Sequence, residues 1–188
     1  LFTPMLYEYL SGEVEAWHIA PSYSELLDAR VRFLQGTATE IDLHSQTVKV
    51  ANDAEKLPYD ALVLAVGGIT NYVGVTGAAE NSLPFRKLAH ADHLRQVMVE
   101  ALDRLPPETP PQDVRNALTF AVVGAGASGC ELSTKMADLL HDAVKRRALQ
   151  GQPRVLVIEM GGKVVPGMGD QIRELVDDAL RQSHVEVH

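Results

Sequence analysis

The stretch ALTFAVVGAGASGCEL, residues 117–132, sets an apolar run directly before Gly124, Gly126 and Gly129, three glycines in G-x-G-x-x-G spacing. Each glycine has its own physical warrant in a strand–turn–helix dinucleotide site. The first permits a tight turn, the second lets backbone approach a pyrophosphate, and the third lets the following helix pack against the strand. Downstream, VLVIE at 155–159 reads as the second strand, ending in Glu159 where a carboxylate would bind the two ribose hydroxyls of an adenosine. The interval is longer than the usual ~20 residues, and the charged helix end HDAVKRRALQGQ, 141–152, accounts for the extension. A plainer reading is three glycines in a tight turn and Glu159 as a solvated strand end. The joint presence of strand, turn, helix, strand and acid favours the dinucleotide site. A free-standing domain of this kind carries its fingerprint near the N-terminus, yet well over a hundred residues precede this one.

Outward from the fingerprint, the pattern predicts strand 117–123, helix 127–149, strand 154–159, helix 170–182 and, from VEVH, the start of another strand. This β-α-β-α-β order implies an α/β fold with a parallel sheet and right-handed crossovers. Toward the N-terminus, HIAPSYSELLDA (18–29) predicts a helix with Pro21 in its first turn, where proline's missing donor does no harm. VRFLQGTATEIDLHSQTVKVAN (31–52) predicts two β-runs around HSQ. YDALVLAVGG (59–68) predicts a third strand, and the continuous apolar run Leu62–Val66 is the pattern of a strand buried on both faces. Residues 86–104 have helical apolar spacing at Leu88, Ala91, Leu94, Val97, Met98 and Leu102. LPPETPPQD (105–113) cannot continue that helix and is the expected linker.

The 188 residues are 46% hydrophobic and 22% charged, enough for one sizeable core or two small ones. A formal charge of −8 argues against a nucleic-acid surface or a polybasic membrane patch, both of which need clustered Lys and Arg. The densest basic spot, Lys145, Arg146 and Arg147, reads as a solvated helix C-terminus complementing the dipole. The lone Cys130 has no internal disulfide partner, which fits a reducing, cytoplasmic setting. No apolar run approaches the ~18 residues of a membrane span and no leader pattern opens the chain. The chain begins at LFTPMLYEYLSG with no initiator Met, as an internal fragment would.

Three stretches together resemble the type II NADH dehydrogenases (NADH:quinone oxidoreductases), flavoproteins of the pyridine nucleotide-disulfide oxidoreductase superfamily with two dinucleotide-binding domains. FTPMLYEYLSGEVE resembles that family's F-x-P-L-L-Y segment, YDALVLAVGG its Y-D-x-L-V-[IL]-A-T-G turn, and FAVVGAGASGCEL its nucleotide fingerprint. The resemblance implies a Rossmann-like FAD/NAD(P)-binding fold, a parallel sheet with a β-hairpin or meander insertion. In such proteins the NADH unit is inserted into the FAD domain, which answers why the fingerprint lies so deep. Residues 1–110 would then be the latter part of the FAD domain, its first glycine motif missing, and residues 111–188 the first half of the NADH domain. The implied cofactors are FAD and NAD, and the implied partners are NADH and a quinone acceptor. A homodimer, and peripheral attachment to the cytoplasmic face of a membrane through parts absent here, are also implied. Two alternatives stay open: a flavoprotein reductase with a different acceptor, and a non-catalytic NAD(H)-binding sensor.

Site residues follow where motifs match. The nucleotide set is Gly124, Ala125, Gly126, Ala127, Ser128, Gly129 and Glu159. Ala38, two residues past Gly36, resembles the position whose backbone pairs with the flavin adenine, and Gly67 ends the turn that nears the flavin. The chain reads Ala-Val-Gly where the family has A-T-G, so Val66 lacks the hydroxyl. A β-hairpin residue and a turn glycine are the plainer readings of Ala38 and Gly67. Pro4, Leu6 and Tyr7 would lie near the flavin ring, or serve only as an apolar start to a helix. Glu131, two residues past Gly129, resembles the catalytic glutamate beside the nicotinamide; a first-turn acid is also what the helix dipole alone favours. Glu159 followed by MGG, with no arginine to receive a 2′-phosphate, predicts NADH over NADPH. His90 and His93 share a helix face without a third ligand, Cys130 lacks the partner that a disulfide reductase needs, and Ser128 has no G-x-S-x-G elbow. None of these is assigned chemistry, and no metal is expected. Half an FAD domain lacks the glycine turn for the FAD pyrophosphate, so these residues alone should retain no flavin and could self-associate through the uncovered strand ALVLAV.

Overall fold

The computed structural model describes residues 1–51 and 56–188. The chain passes from short N-terminal helices to a small antiparallel sheet and then to a parallel β-α-β array. Two compact units result, one joining Leu1–Pro21 to Ser82–His188, the other comprising Ser22–Asn81. The expected boundary near residue 110 falls inside the first unit.

After a single 3-10 turn at Thr3–Met5, helix α1 spans Leu6–Ser11 and buries Leu6 and Leu10, four residues apart on one face. Gly12, at φ 82°, closes it in the left-handed conformation that glycine takes without a Cβ clash. The helix expected over residues 18–29 is instead two single turns, α2 at Ala16–Ile19 and α3 at Tyr23–Leu26. Pro21 is responsible: the residue before a proline is disfavoured in the α region, and Ala20 leaves it at φ −137° and ψ 59°. Ser22 then starts a new turn through a reciprocal capping box, its own N–H donating to Glu25 Oε2 at 2.9 Å.

In the Ser22–Asn81 unit, β1 (Ala38–Asp42), β2 (Thr47–Val50) and β3 (Lys56–Pro58) form an antiparallel meander in that order. The hairpin at HSQ is set by Asp42, whose Oδ1 accepts from the N–H groups of His44 and Ser45 at 2.9 and 3.0 Å. The first β-run begins late, since residues 31–35 take no regular form, and Asn52 at the end of the second lies outside the described residues. The strand expected at Leu62–Val66 is absent. That run makes no strand pairing among the described residues, and Val63 and Val66 are 85% and 89% exposed. A strand exists through its ladder partners, and apolar composition alone does not make one. A single-turn helix, α4 at Ala78–Asn81, ends the unit.

The other unit holds every fully buried apolar side chain among the described residues. Helix α5, Leu88–Asp103, turns Ala91, Leu94, Met98 and Leu102 inward, with Val97 half-buried. The proline-rich segment expected as a linker also starts a helix, α6 at Pro111–Ala117, because a proline in the first turn is preset for helical φ. Then follow β4 (Thr119–Val123), α7 (Ala127–Arg146), β5 (Arg154–Ile158), α8 (Asp170–Gln182) and β6 (Val185–Val187). The sheet is parallel with strand order β4-β5-β6, in register from Thr119 opposite Arg154 to Val123 opposite Ile158. Lys145, Arg146 and Arg147 do close α7, where Arg147 also reaches Asp103 at 2.6 Å.

Candidate functional site

The site begins where β4 ends. Gly124 has φ +100°, which a side chain would resist, and its N–H still donates to Ile158 O at 2.8 Å, so the turn leaves the sheet only after one more pairing. A Cβ on Gly129 would lie 1.9 Å from the Gly124 carbonyl oxygen, so α7 can start this close to the turn only with glycine there. Gly126, the N-cap of α7, has open space where its Cβ would stand. No side chain caps that helix and no acid occupies its first turn, so its leading N–H groups face an uncapped end of positive dipole. Ala127, Ser128 and Gly129 form that first turn, while Ala125 is fully buried beneath it.

Glu159 reaches back to this turn. Its Oε2 accepts from Ala125 N–H at 2.7 Å and its Oε1 from Gly161 N–H at 3.0 Å. These backbone donors, Ala125 first, hold its carboxyl below the usual carboxylate range. Each oxygen keeps a lone pair for a further donor. The spacing of the acid from the glycines had not revealed this tie between β5 and the turn. A second tie was also missed: Val165 N–H donates to Ala125 O at 2.6 Å, and Val164 and Val165 are 2% and 3% exposed. The signal was legible as two adjacent valines in the otherwise polar and glycine-rich GGKVVPGMG.

Glu131 lies in the second turn of α7 with its side chain exposed, and its Oε2 accepts from the hydroxyl of Tyr7. Tyr7 and Glu131 belong to separate sequence motifs, and α1 and α7 bring them together. Burial, and then Glu131, push the Tyr7 phenol well above its ordinary range. Leu6, by contrast, is a core residue at 2% exposure. Cys130 is 5% exposed, its Sγ donating to Ala125 O at 3.5 Å, and burial raises its thiol pKa, the opposite of what a reactive cysteine needs. His90 Nδ1 accepts from Arg86 N–H at 3.1 Å, and no cluster of three metal-ligating side chains occurs among the described residues. Ala38 opens β1, an edge strand paired with Val50, and Gly67 has φ +69° with open space around it; both belong to the Ser22–Asn81 unit.

A parallel sheet with a glycine turn, an uncapped helix N-terminus and an acid at the next strand's end defines a dinucleotide-binding fold. The chain belongs to the pyridine nucleotide-disulphide oxidoreductase family, whose pattern matches residues 1–188. It is similar to the type II NADH:quinone oxidoreductase Ndh of Mycobacterium tuberculosis, at 29% identity over all of this chain and 42% of that protein. It is also similar to the demethylphylloquinone reductase NdbB of Synechocystis, at 34% identity over 84% of this chain and 38% of that one. Its fold matches NDH2 from Plasmodium falciparum, solved in complex with NADH, with a TM-score of 0.76 and 23% identity over 99% of this chain and 40% of that one. The chain thus spans about four-tenths of the length of these relatives.

Proposed function

We propose that the protein carrying this sequence is an FAD-dependent NADH:quinone oxidoreductase of the type II NADH dehydrogenase kind. The observation that carries this reading is the glycine turn at Gly124–Gly129 tied at 2.7 Å to the acid that ends the neighbouring strand. The pyrophosphate of NADH would meet the N–H groups at the start of α7, where a side chain on Gly126 would stand in the way. Glu159 would accept from the adenosine ribose hydroxyls with its remaining lone pairs, and Glu131 would orient the nicotinamide. The residues present fit this nucleotide. For FAD they offer backbone at Ala38 and the turn at Gly67, in a division where residues 1–110 serve the flavin and 111–188 the nucleotide. That division concerns ligands and differs from the compact units. FAD, when bound, supplies a two-electron acceptor for hydride; the work of this chain is to bind, orient and select the donor.

The relatives' names support a quinone as the final acceptor. A lipid-soluble acceptor favours a protein working peripherally at a membrane, and a homodimer belongs to the same reading. No helix among the described residues is long and apolar enough to cross a membrane. Nucleotide choice tests the proposal. The 2′-phosphate of NADPH would meet the Glu159 carboxylate, so the intact protein is expected to prefer NADH in kcat/KM. Glu159→Gln should narrow that preference about tenfold, which corresponds to about 1.4 kcal/mol. Comparable kcat/KM for both nucleotides in the unaltered protein would overturn the assignment of Glu159.

A further inference from the structure

The contact between Tyr7 and Glu131 joins residues 124 positions apart, and its geometry is set from the Tyr7 side. Helix α1 is held in place by more than its buried Leu6 and Leu10. Arg95 Nε donates to Leu10 O at 3.0 Å while its Nη2 donates to Tyr9 O, and Tyr9 Oη donates to Asp92 Oδ1 at 2.8 Å. Lys135, one turn beyond Glu131 on α7, pairs with Glu13 at 2.6 Å. These contacts anchor α1 on α5 and the residues just past it on α7, against which α1 also packs, so the direction in which Tyr7 donates follows from packed helices. Glu131 is exposed and lines a groove of about 210 Å³ whose walls include Thr134, Ile172, Leu175 and Val176. A carboxylate that could turn freely would offer either oxygen in many directions. With Oε2 held, Oε1 becomes a single directed acceptor.

Resting on the reading that Glu131 lies beside the nicotinamide, we propose that Tyr7 is the positioning residue for that glutamate: its hydroxyl holds Oε2 so that Oε1 accepts from the carboxamide NH2 of the nicotinamide. The raised phenol pKa agrees, since Tyr7 then remains a protonated donor at every working pH. Tyr7→Phe removes the hydroxyl and leaves the ring, so the packing of α1 survives.

Calorimetric titration of the intact protein with two ligands separates the possibilities. ADP-ribose carries the adenosine and pyrophosphate of NADH without its nicotinamide. Tyr7→Phe is expected to weaken NADH about fivefold relative to ADP-ribose, and Glu131→Gln about tenfold, the scale of a hydrogen bond to a charged group. The double variant should bind NADH no more weakly than Glu131→Gln alone, because Tyr7 acts only through Glu131. If Tyr7→Phe weakens both ligands equally, or neither, or if the two losses add in the double variant, the positioning role is overturned while the nucleotide site stands. If the unaltered protein binds neither ligand, the dinucleotide reading itself falls and the role of Tyr7 falls with it.

Discussion

Two apolar runs of nearly the same composition have opposite fates. TFAVV, residues 119–123, is strand β4, paired along its length with β5. ALVLAV, residues 61–66, pairs with no strand among the described residues, and Leu64 is 65% exposed. Neither run is buried along its whole length, since Val123 at the open end of β4 is itself 77% exposed. What separates them is a ladder partner and a covering helix: β4 has β5 beside it and α7 across it, with Val122 at 9% exposure. Hydrophobicity favours burial without direction, whereas a strand needs another backbone at hydrogen-bonding distance.

The same substitution placed in each region tests the contrast most strongly. Leu140→Ala, on the fully buried face of α7, is expected to cost about 3 kcal/mol by loss of transfer energy and creation of a cavity. Leu64→Ala should stay within about 0.5 kcal/mol, as exposed sites do. Denaturant midpoints of the two variants check this, and a comparable loss in Leu64→Ala would mean that the run is packed in solution. Glycines give the next contrast. Gly129→Ala forces a Cβ to 1.9 Å from backbone and is expected to cost about 2 kcal/mol by overpacking, together with loss of nucleotide binding. Gly67→Ala meets open space and suffers only its φ of +69°, so a thermal melt should show about 1 kcal/mol.

The smallest contrast is electrostatic. Glu186 on β6 accepts from Arg154 at 2.5 Å and from Arg115 at 2.9 Å, and Arg154 foremost lowers its carboxyl to about 2. A depressed folded-state pKa stabilises the protein above the unfolded value, and that contribution fades as pH falls from the ordinary glutamate range toward about 2. With its side chain 36% exposed, solvent screening limits Glu186→Gln to a loss of about 0.5 kcal/mol at neutral pH. The gap from the unaltered protein should close on acidification. Glu40→Gln, which breaks the looser 3.6 Å pair between exposed side chains of Glu40 and Lys56, should leave the urea midpoint at neutral pH unchanged. A gap at Glu186 that widened in acid would show the ion pairs to be irrelevant there.

The nucleotide half was legible because its signals are local. Glycine spacing, the apolar run before it and the helical periodicities after it each constrain a few neighbouring residues, and strands β4 and β5 and helices α7 and α8 stand within a few residues of their expected bounds. Proline misled twice, in opposite senses. By pattern Pro21 starts a helix, yet it separates two single turns, whereas Pro111, by pattern a helix breaker, begins α6. Proline fixes one φ and removes one donor, and its effect depends on which neighbouring residues cap the ends.

By itself, then, the sequence determined the parallel β-α-β order, the glycine turn and the candidacy of Glu159, because these depend on residue types in a local strand–turn–helix–strand pattern, while Glu131 became a candidate through the family resemblance. Only the tertiary structure decided that Leu62–Val66 is no strand here, that Glu159 binds the turn through Ala125, and that Tyr7 meets Glu131 across 124 residues. Such contacts depend on where packed helices and paired strands bring distant backbone, and composition along the chain carries no record of that distance.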